Sequence, residues 1–466
     1  MDNEGKILKK IMISDAMKNV TKICSGNIMG QIISVISLPI ITRIYGAEIM
    51  GIWATIYALA SIVITYCDLG LTQTLMICDE DEVPEIYSFI QTISIIICLI
   101  SSIVFFVFYL LNDNFIYAIT VALFVFLYSF TLRQVQCCYT WLNRNKEYDI
   151  LMKNPLVNYG SVAIVSILLG VLGFIKYGYF IGITVGQIAT LIHMKKFISE
   201  GIYSFKLKSG RKIIKKYINF IKFQMPSGIT VSLRQQLPNL LIGNLYGNTI
   251  LGYFSISQKI LSVPVTFIGQ ALGKVFYQKC AEIKKSGKDI GHFLYKNISR
   301  AMLFGSIPML LFAAFGDAAT VFFFGSEYSV GGVICRIIVF RSFFTFLSSA
   351  TQGCDIVIEK QQYTLINSSL QTLFASFGVI ISYYLYNNIY ICAIFMTISF
   401  IICEITYYAK LFSALRYPFQ KYIIHVIIFL CLIFAFSCLL RWLFINLTLL
   451  TKWDILEWCK TFLVFP

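Results

Sequence analysis

The sequence predicts an all-α polytopic membrane protein, and the observations behind this are its composition, the length of its apolar runs and its short loops. Hydrophobic residues make up 58% of the 466 residues and charged residues 13%, whereas charged residues reach about 25% in soluble proteins. The apolar runs continue for about 20 residues, as in transmembrane helices, instead of alternating over about 10 as in a β-barrel. The short connections leave no room for a soluble catalytic domain.

The apolar runs predict two sets of six spans followed by a further apolar stretch. The first set covers 21–43, 49–74, 87–111, 115–142, 155–174 and 177–197, the second covers 220–246, 250–279, 294–316, 329–356, 364–386 and 389–412, and the further stretch is 422–440. The predicted domains are a basic N-terminus (1–20), an N-lobe (21–198), a basic linker (199–219), a C-lobe (220–412) and one or two C-terminal spans (413–466). Charged residues in 442–466 leave open whether that segment crosses the membrane.

The distribution of Lys and Arg predicts the orientation, because these residues are retained in short cytoplasmic loops. They cluster in four connections on the N-terminal side, at 144–153, 206–216, 284–288 and 410–421, and are sparse in the opposite loops. We therefore expect a cytoplasmic N-terminus and no extracytoplasmic domain. The basic lead before the first apolar run resembles a signal peptide, but no small-residue cleavage site follows, so the run is interpreted as a retained span.

Two short internal matches predict a repeated architecture. Residues 45–53, beginning Tyr45-Gly46, resemble residues 246–254, beginning Tyr246-Gly247, and each joins the first and second spans of its set. Residues 145–148 resemble 360–363, where the fourth and fifth spans join. Because six spans separate equivalent positions, we expect two six-helix lobes of the same orientation, related by a pseudo-twofold axis along the membrane normal, with a cavity between them.

Polar residues recur at helical spacing inside several spans. In the eighth span they follow one another by three or four residues along about 28 Å of one helix face. The tenth, fourth, first and seventh spans carry shorter stripes of the same kind. The stripe residues are Ser255, Lys259, Ser262, Thr266, Gln270 and Lys274; Arg341, Thr345, Ser348, Gln352 and Asp355; Ser129, Arg133, Gln136, Thr140 and Asn143; Asn27, Gln31, Ser34 and Ser37; and Ser227, Thr230 and Arg234.

The charges within the spans predict an anionic ligand. The cations are Arg133, Arg234, Lys259, Lys274 and Arg341, and the acids are Asp68, Asp355 and Glu404. Since an unpaired cation is costly in a membrane, the excess of cations favours a water-filled, positively charged cavity. The alternatives are that uncharged stripe residues bond neighbouring helices, that cations pair with acids, and that Lys274 reaches the cytoplasmic interface. The three acids are candidates for coupling to H⁺ or Na⁺, or are structural partners of the cations.

Several other kinds of chemistry are not expected. The sequence contains no GxxxxGK phosphate loop and no HExxH motif, and His193, His292 and His425 are too scattered for a metal site. The 14 cysteines show no CxxC pair and are interpreted as small apolar residues. The net charge of +15 resides mainly in loops, which indicates topology and not nucleic-acid binding. No cofactor is therefore predicted beyond a coupling ion.

Particular motifs resemble one family. Ser25-Gly26-Asn27, the run from Pro39 to Gly46, Met50-Gly51-Ile52 and Asp68-Leu69-Gly70-Leu71 resemble the opening of bacterial O-antigen (Wzx-type) polysaccharide flippases, in the multidrug/oligosaccharidyl-lipid/polysaccharide exporter (MOP) superfamily. The resemblance covers roughly 15–415. It implies alternating access and transfer of an undecaprenyl-pyrophosphate-linked oligosaccharide from the cytoplasmic to the periplasmic leaflet of the bacterial inner membrane, driven by an ion gradient. It also implies that polymerase and chain-length proteins are possible partners.

The resemblance and the stripes together predict a substrate site. Arg43 is included by motif, and the remaining residues by their place in the stripes. The predicted substrate-binding residues are Arg43, Arg133, Arg234, Lys259, Lys274, Arg341, Asn27, Gln31, Gln270 and Gln352. One alternative is a membrane polysaccharide polymerase or glycosyltransferase, which the absence of a large loop disfavours. Another is a drug exporter of the same superfamily, which the positive stripe disfavours.

Overall fold

The computed structural model describes residues 3–198, 210–218 and 220–451, and within these ranges it contains helices and no strand. The chain divides into two compact units, an N-terminal unit of residues 1–236 and a C-terminal unit of residues 237–466. The prediction of an all-α architecture is confirmed. The helices are α1 Asn3–Tyr66, α2 Val83–Asn112, α3 Phe115–Arg144, α4 Tyr148–Val171, α5 Gly178–Lys195, α6 Gly210–Lys216, α7 Met225–Tyr246, α8 Asn248–Pro264, α9 Gln270–Lys285, α10 Ile290–Phe324, α11 Ser329–Ala350, α12 Cys354–Val357, α13 Gln361–Tyr386, α14 Ile389–Ala414 and α15 Phe419–Thr451.

Ten helical segments among the described residues are long and apolar enough to cross a membrane. The first, Ser25–Tyr66, contains the kink of α1 at Gly46 and therefore holds two of the predicted spans. Two further predicted spans, 177–197 and 220–246, coincide with helices α5 and α7, which are not among the ten. The protein is thus a multi-pass helical membrane protein.

Some helix ends differ from the predicted spans. The second span was predicted to reach residue 74, but α1 ends at Tyr66 and a 3-10 helix, Leu71–Met76, follows. The break is at Leu69 and Gly70, which have φ of 57° and 74°, a left-handed conformation that a helix cannot continue through. At the other end α15 extends to Thr451, beyond the predicted limit of 440, because the apolar sequence continues after the single charge of Arg441.

The first internal match is a real structural repeat. Gly46 and Gly247 have nearly the same backbone conformation, with φ of 72° and ψ of 172° in the first and φ of 91° and ψ of 166° in the second. The preceding tyrosines play the same part in their own units. The Tyr45 hydroxyl donates to the Ser166 carbonyl at 2.6 Å, and the Tyr246 hydroxyl lies 2.9 Å from the Ser382 hydroxyl. Each Tyr-Gly pair therefore turns the chain between two spans. Its tyrosine hydroxyl bonds to the helix that corresponds to the fifth predicted span of the same set, α4 in the first and α13 in the second.

The second internal match is present in a different register. Lys146 and Glu359 have φ of 60° and 61°, and each is followed by a residue whose N–H bonds back across the turn, from Glu147 to Leu142 and from Lys360 to Asp355. These bonds are typical of a helix C-terminal cap. Lys146 is thus structurally equivalent to Glu359, whereas the sequence match pairs it with Gln361, two residues later. The turn geometry, and not the residue type, determines the equivalent positions.

The described part of the basic linker is attached to the N-terminal unit. Ile213 and Tyr217 are buried in an apolar cluster with residues of α2, α3 and the Leu71–Met76 turn. Lys216 Nζ donates to both carboxylate oxygens of Glu82 at 2.6 Å, and this hydrogen bond raises the pKa of Lys216. Residues 206 and 208 of the predicted linker lie outside the described residues. The end of the linker is therefore part of the N-terminal unit and not a free spacer.

We expect Gly247→Ala to destabilise the protein by about 1–3 kcal/mol, because the backbone conformation of Gly247 is strained for any residue with a Cβ. No atom lies within 4 Å of the position that a Cβ would take, so the effect isolates backbone strain. The measurement is the unfolding temperature of the purified protein in detergent.

The matched control is Gly160→Ala in α4, where the added Cβ also meets nothing within 4 Å but the backbone is helical. Alanine favours the helix over glycine by about 1 kcal/mol. An unfolding temperature that falls equally in both variants would contradict the interpretation of Gly247.

Candidate functional site: the basic face of the C-terminal unit

The longest predicted stripe lies on an accessible face of α8 and α9. Lys259, Ser262, Gln270 and Lys274 are exposed. The buried residues Phe254, Ile256, Ser257 and Leu261 lie elsewhere around α8, whereas Leu251 and Gly252 continue the line of the stripe at the start of the helix. From Lys259 onward the stripe therefore follows a less packed side.

A break between α8 and α9 keeps this face close to α11. Pro264 ends α8 and a π-helical turn, Val265–Gly269, follows, which is a common irregularity at functional sites. An added Cβ at Gly273 would lie 2.1 Å from the Ser349 carbonyl oxygen and 2.9 Å from the Gln352 side chain. Glycine is thus required where α9 and α11 touch, and it brings Gln352 beside the start of α9.

The stripe of α11 runs beside that of α8 and α9. Ser257 of α8 donates to the Gly331 carbonyl at 2.6 Å near the start of α11, and Gly273 of α9 touches Ser349 near the end of α11. The α8–α9 segment therefore runs in the same direction as α11. Thr345 and Gln352 are exposed and Arg341 is half-buried, with its guanidinium 5.2 Å from the centre of the Phe400 ring. We call the accessible surface of Lys259, Gln270, Lys274, Arg341 and Gln352 the basic face.

Lys259 is the residue of this face whose positive charge has the fewest described contacts to balance it. Among the described residues it forms no ion pair with an acid, and its side chain is exposed although it lies within a candidate membrane span. A lysine facing hydrocarbon costs several kcal/mol. We therefore expect the basic face to contact water or an anion.

Arg133 is in a different environment, inside the N-terminal unit. It is only 6% exposed, and its guanidinium donates to Asp68 Oδ2 at 3.1 Å, to Thr72 Oγ1 at 3.1 Å and to the carbonyl of Ile64. Asp68 in turn accepts from the backbone N–H groups of Gly70 and Thr72. Arg133 and Asp68 thus form a buried ion pair that closes the turn after α1, as the alternative of structural pairing predicts.

The remaining predicted substrate residues lie on α1 and α7, not on the helices of the basic face. Arg43 and Asn27 are exposed on α1, Gln31 is half-buried one turn after Asn27, and Arg234 is half-buried on α7. All four belong to the N-terminal unit, whereas the basic face belongs to the C-terminal unit. They stay predictions as substrate-binding residues.

The other two predicted acids are hydrogen-bonded to neutral groups. Glu404 is 1% exposed, and its Oε1 accepts from Asn367 at 3.1 Å and from Gln371 at 2.7 Å. Asp355 is buried and accepts from the Thr364 hydroxyl at 2.6 Å. No group of three or more His, Cys, Asp and Glu side chains suited to a metal ion occurs among the described residues. Their role in ion coupling stays a prediction.

One charged cluster in the C-terminal unit was not predicted from the sequence. Asp317 of α10 accepts two hydrogen bonds from Arg441, at 3.1 and 2.7 Å, and one from Arg336 at 3.4 Å. Asp317 was predicted to lie in a loop after the ninth span and Arg441 in the tail, so their pairing could not be anticipated. The cluster joins α15 to α10 and α11, and it gives the C-terminal helix a fixed place in its unit.

Comparison with known proteins identifies the family. A family model described as "Polysaccharide biosynthesis protein" matches residues 40–330. The chain belongs to this family of polysaccharide biosynthesis proteins. It is also 24% identical over 410 residues to the "Capsular polysaccharide biosynthesis protein CapF" of Staphylococcus aureus, covering 84% of this chain and 98% of that protein.

Solved structures show the fold. The lipid II flippase MurJ in an inward closed conformation matches with a TM-score of 0.70 and 14% identity, over 92% of this chain and 98% of that one. An inward-facing multidrug resistance MATE family transporter of the MOP superfamily matches with a TM-score of 0.61 and 14% identity, over 83% and 95% of the chains. The resemblance to a polysaccharide family predicted from the sequence is confirmed, and the protein has the fold of these two transporters.

We expect Arg133→Gln to destabilise the protein by about 3–5 kcal/mol, because it leaves Asp68 buried without its ion-pair partner. The double variant Asp68→Asn with Arg133→Gln removes both charges and should recover part of the loss. The measurement is the unfolding temperature together with the amount of protein in the membrane. A double variant as unstable as the sum of the two single variants would show that the two charges are not coupled.

Proposed function

We propose that the protein translocates undecaprenyl-pyrophosphate-linked oligosaccharide repeat units, for O-antigen or another surface polysaccharide, from the cytoplasmic to the periplasmic leaflet. The observation that carries the proposal is the basic face, where Lys259 and Arg341 lie on neighbouring membrane helices. Membership in the polysaccharide biosynthesis family and the MOP fold support a role in glycan transport.

The chemistry of the basic face suits a pyrophosphate. The planar guanidinium of Arg341 can donate two parallel hydrogen bonds to phosphate oxygens, and Lys259 adds a compact positive charge. Gln270 and Gln352 are exposed about 16 Å further along the same face, at 1.5 Å per residue, and offer both donors and acceptors to sugar hydroxyls. In this proposal Arg43, Arg234 and Lys274 contribute further positive charge along the path, and the prenyl tail stays in lipid.

The proposal includes alternating access of the two units coupled to an H⁺ or Na⁺ gradient. Glu404 and Asp355 are the proposed coupling groups, since both are buried carboxyls whose described hydrogen bonds are to neutral side chains. Asp68 is the weaker candidate because Arg133 already neutralises it. The protein would lie in the bacterial inner membrane with a cytoplasmic N-terminus and work beside polymerase and chain-length proteins.

The test is to delete the chromosomal gene and complement it with Lys259→Gln or Arg341→Gln. We expect each variant to abolish surface polysaccharide, or to reduce it at least about tenfold, while complete lipid-linked repeat units accumulate on the cytoplasmic face. The measurements are surface staining, extraction of the lipid-linked pool and the level of inserted protein.

The matched control is Lys288→Gln, which removes an exposed lysine from the connection between α9 and α10. It should leave surface polysaccharide unchanged. Normal polymer from both basic-face variants would refute the role of that face. Single unpolymerised repeats at the outer surface of the deletion strain would favour the polymerase, and unchanged glycan with altered drug sensitivity would favour the drug exporter.

A further inference from the structure

Four residues of a larger aromatic cluster in the N-terminal unit play no part in the basic face; the cluster continues through Trp53 to Tyr179 and Phe180, with ring centres 6.0 and 6.3 Å away. Trp53 packs edge-on to Tyr128 with ring centres 5.1 Å apart, and Tyr57 lies 5.9 Å from the same Tyr128 ring. Tyr159 of α4 is the fourth member, within electrostatic reach of Tyr57 and Tyr128. We call Trp53, Tyr57, Tyr128 and Tyr159 the aromatic platform.

The hydroxyl groups of the platform have no partner among the described residues. Tyr128 is only 7% exposed, yet neither its hydroxyl nor those of Tyr57 and Tyr159 takes part in a hydrogen bond with another described residue. Three neighbouring phenols whose hydroxyls form no hydrogen bond within the described residues offer donors and acceptors to water or to a hydroxyl-bearing ligand.

The platform is accessible at Tyr57, which lies near the middle of its helix. Tyr57 is 41% exposed, and Trp53 and Tyr159 are half-buried. Tyr57 lies about 16 Å along the helix from the kink at Gly46 and about 14 Å from its end at Tyr66, at 1.5 Å per residue. Tyr and Trp that anchor a protein in the membrane lie at the interfaces, so an exposed tyrosine at mid-helix calls for another explanation.

A basic residue lies at the same level on the neighbouring helix. Ser232 of α7 donates to the Ser61 carbonyl at 3.1 Å, and Gly228 lies beside Thr65, so α7 runs antiparallel to this part of α1. Continuing that register places Arg234 within one helical turn of the level of Tyr57. The aromatic platform therefore has a cationic neighbour inside the same unit.

We propose that the aromatic platform binds a sugar ring of the lipid-linked oligosaccharide; this rests on the proposed function. The apolar C–H face of a pyranose stacks on Trp53 and Tyr57, and its hydroxyls exchange hydrogen bonds with Tyr57, Tyr128 and Tyr159. Each phenol both donates and accepts, so the platform accepts different sugars. Arg234 adds positive charge at the level of the platform, in keeping with its place in the proposed function.

The experiment measures the binding of two probes to the full chain in lipid nanodiscs. One probe is a short-chain prenyl pyrophosphate, and the other is the same lipid carrying one N-acetylhexosamine. The wild-type protein should bind the glycosylated probe at least about tenfold more tightly. Trp53→Leu and the triple variant Tyr57→Phe, Tyr128→Phe, Tyr159→Phe should lose this preference and keep the wild-type affinity for the bare lipid.

The control variant is Tyr109→Phe, which removes the hydroxyl of another buried tyrosine in the N-terminal unit and should keep the preference. Equal wild-type binding of both probes would overturn the role of the platform and leave the proposed function standing. Binding of neither probe would overturn both. If the triple variant fails to fold, Tyr57→Phe alone at the exposed position decides, since an unchanged preference there contradicts the proposal.

Discussion

Every charged side chain in a membrane helix must be paired, hydrated or neutralised, and the internal organisation of this protein follows from that constraint. Arg133 and Asp68 satisfy it by pairing inside the N-terminal unit, where they also close the turn after α1. Asp317 satisfies it with two arginines from α11 and α15. Both clusters hold helices together, so their charges are already used by the fold.

Lys259 satisfies the same constraint differently, by facing outward from the helices of its own unit. It lies on a surface that also carries Arg341 and exposed glutamines, and the opposite side of α8 is buried. Arg133 therefore stabilises the fold, whereas the charge of Lys259 is not used in an ion pair with a described acid. Both residues appear alike in the sequence, as cations within polar stripes, and only the contacts distinguish them.

The features of the fold that could be predicted from the sequence are those set by local patterns. Long apolar runs determine where membrane helices form, so the helices lie near the predicted spans. The turn at Leu69 and Gly70 and the register of Lys146 with Glu359 depend on backbone conformation, which residue type signals only weakly. Asp317 and Arg441 are 124 residues apart, and a pairing over that distance is not encoded in any local pattern. The stripes were visible because helical periodicity places their residues on one face.

The two units share their scaffold and differ on their accessible surfaces. Tyr45-Gly46 and Tyr246-Gly247 repeat because a turn that only glycine adopts easily, tied by a tyrosine hydroxyl, tolerates few substitutions. The residues on an accessible face do not support packing, so they are free to diverge. In the N-terminal unit that face presents aromatic rings such as Tyr57, and in the C-terminal unit it presents Lys259 and Arg341. Repeated geometry with divergent surfaces suits the proposed function, in which different chemistry binds the sugar and the pyrophosphate of one amphiphile.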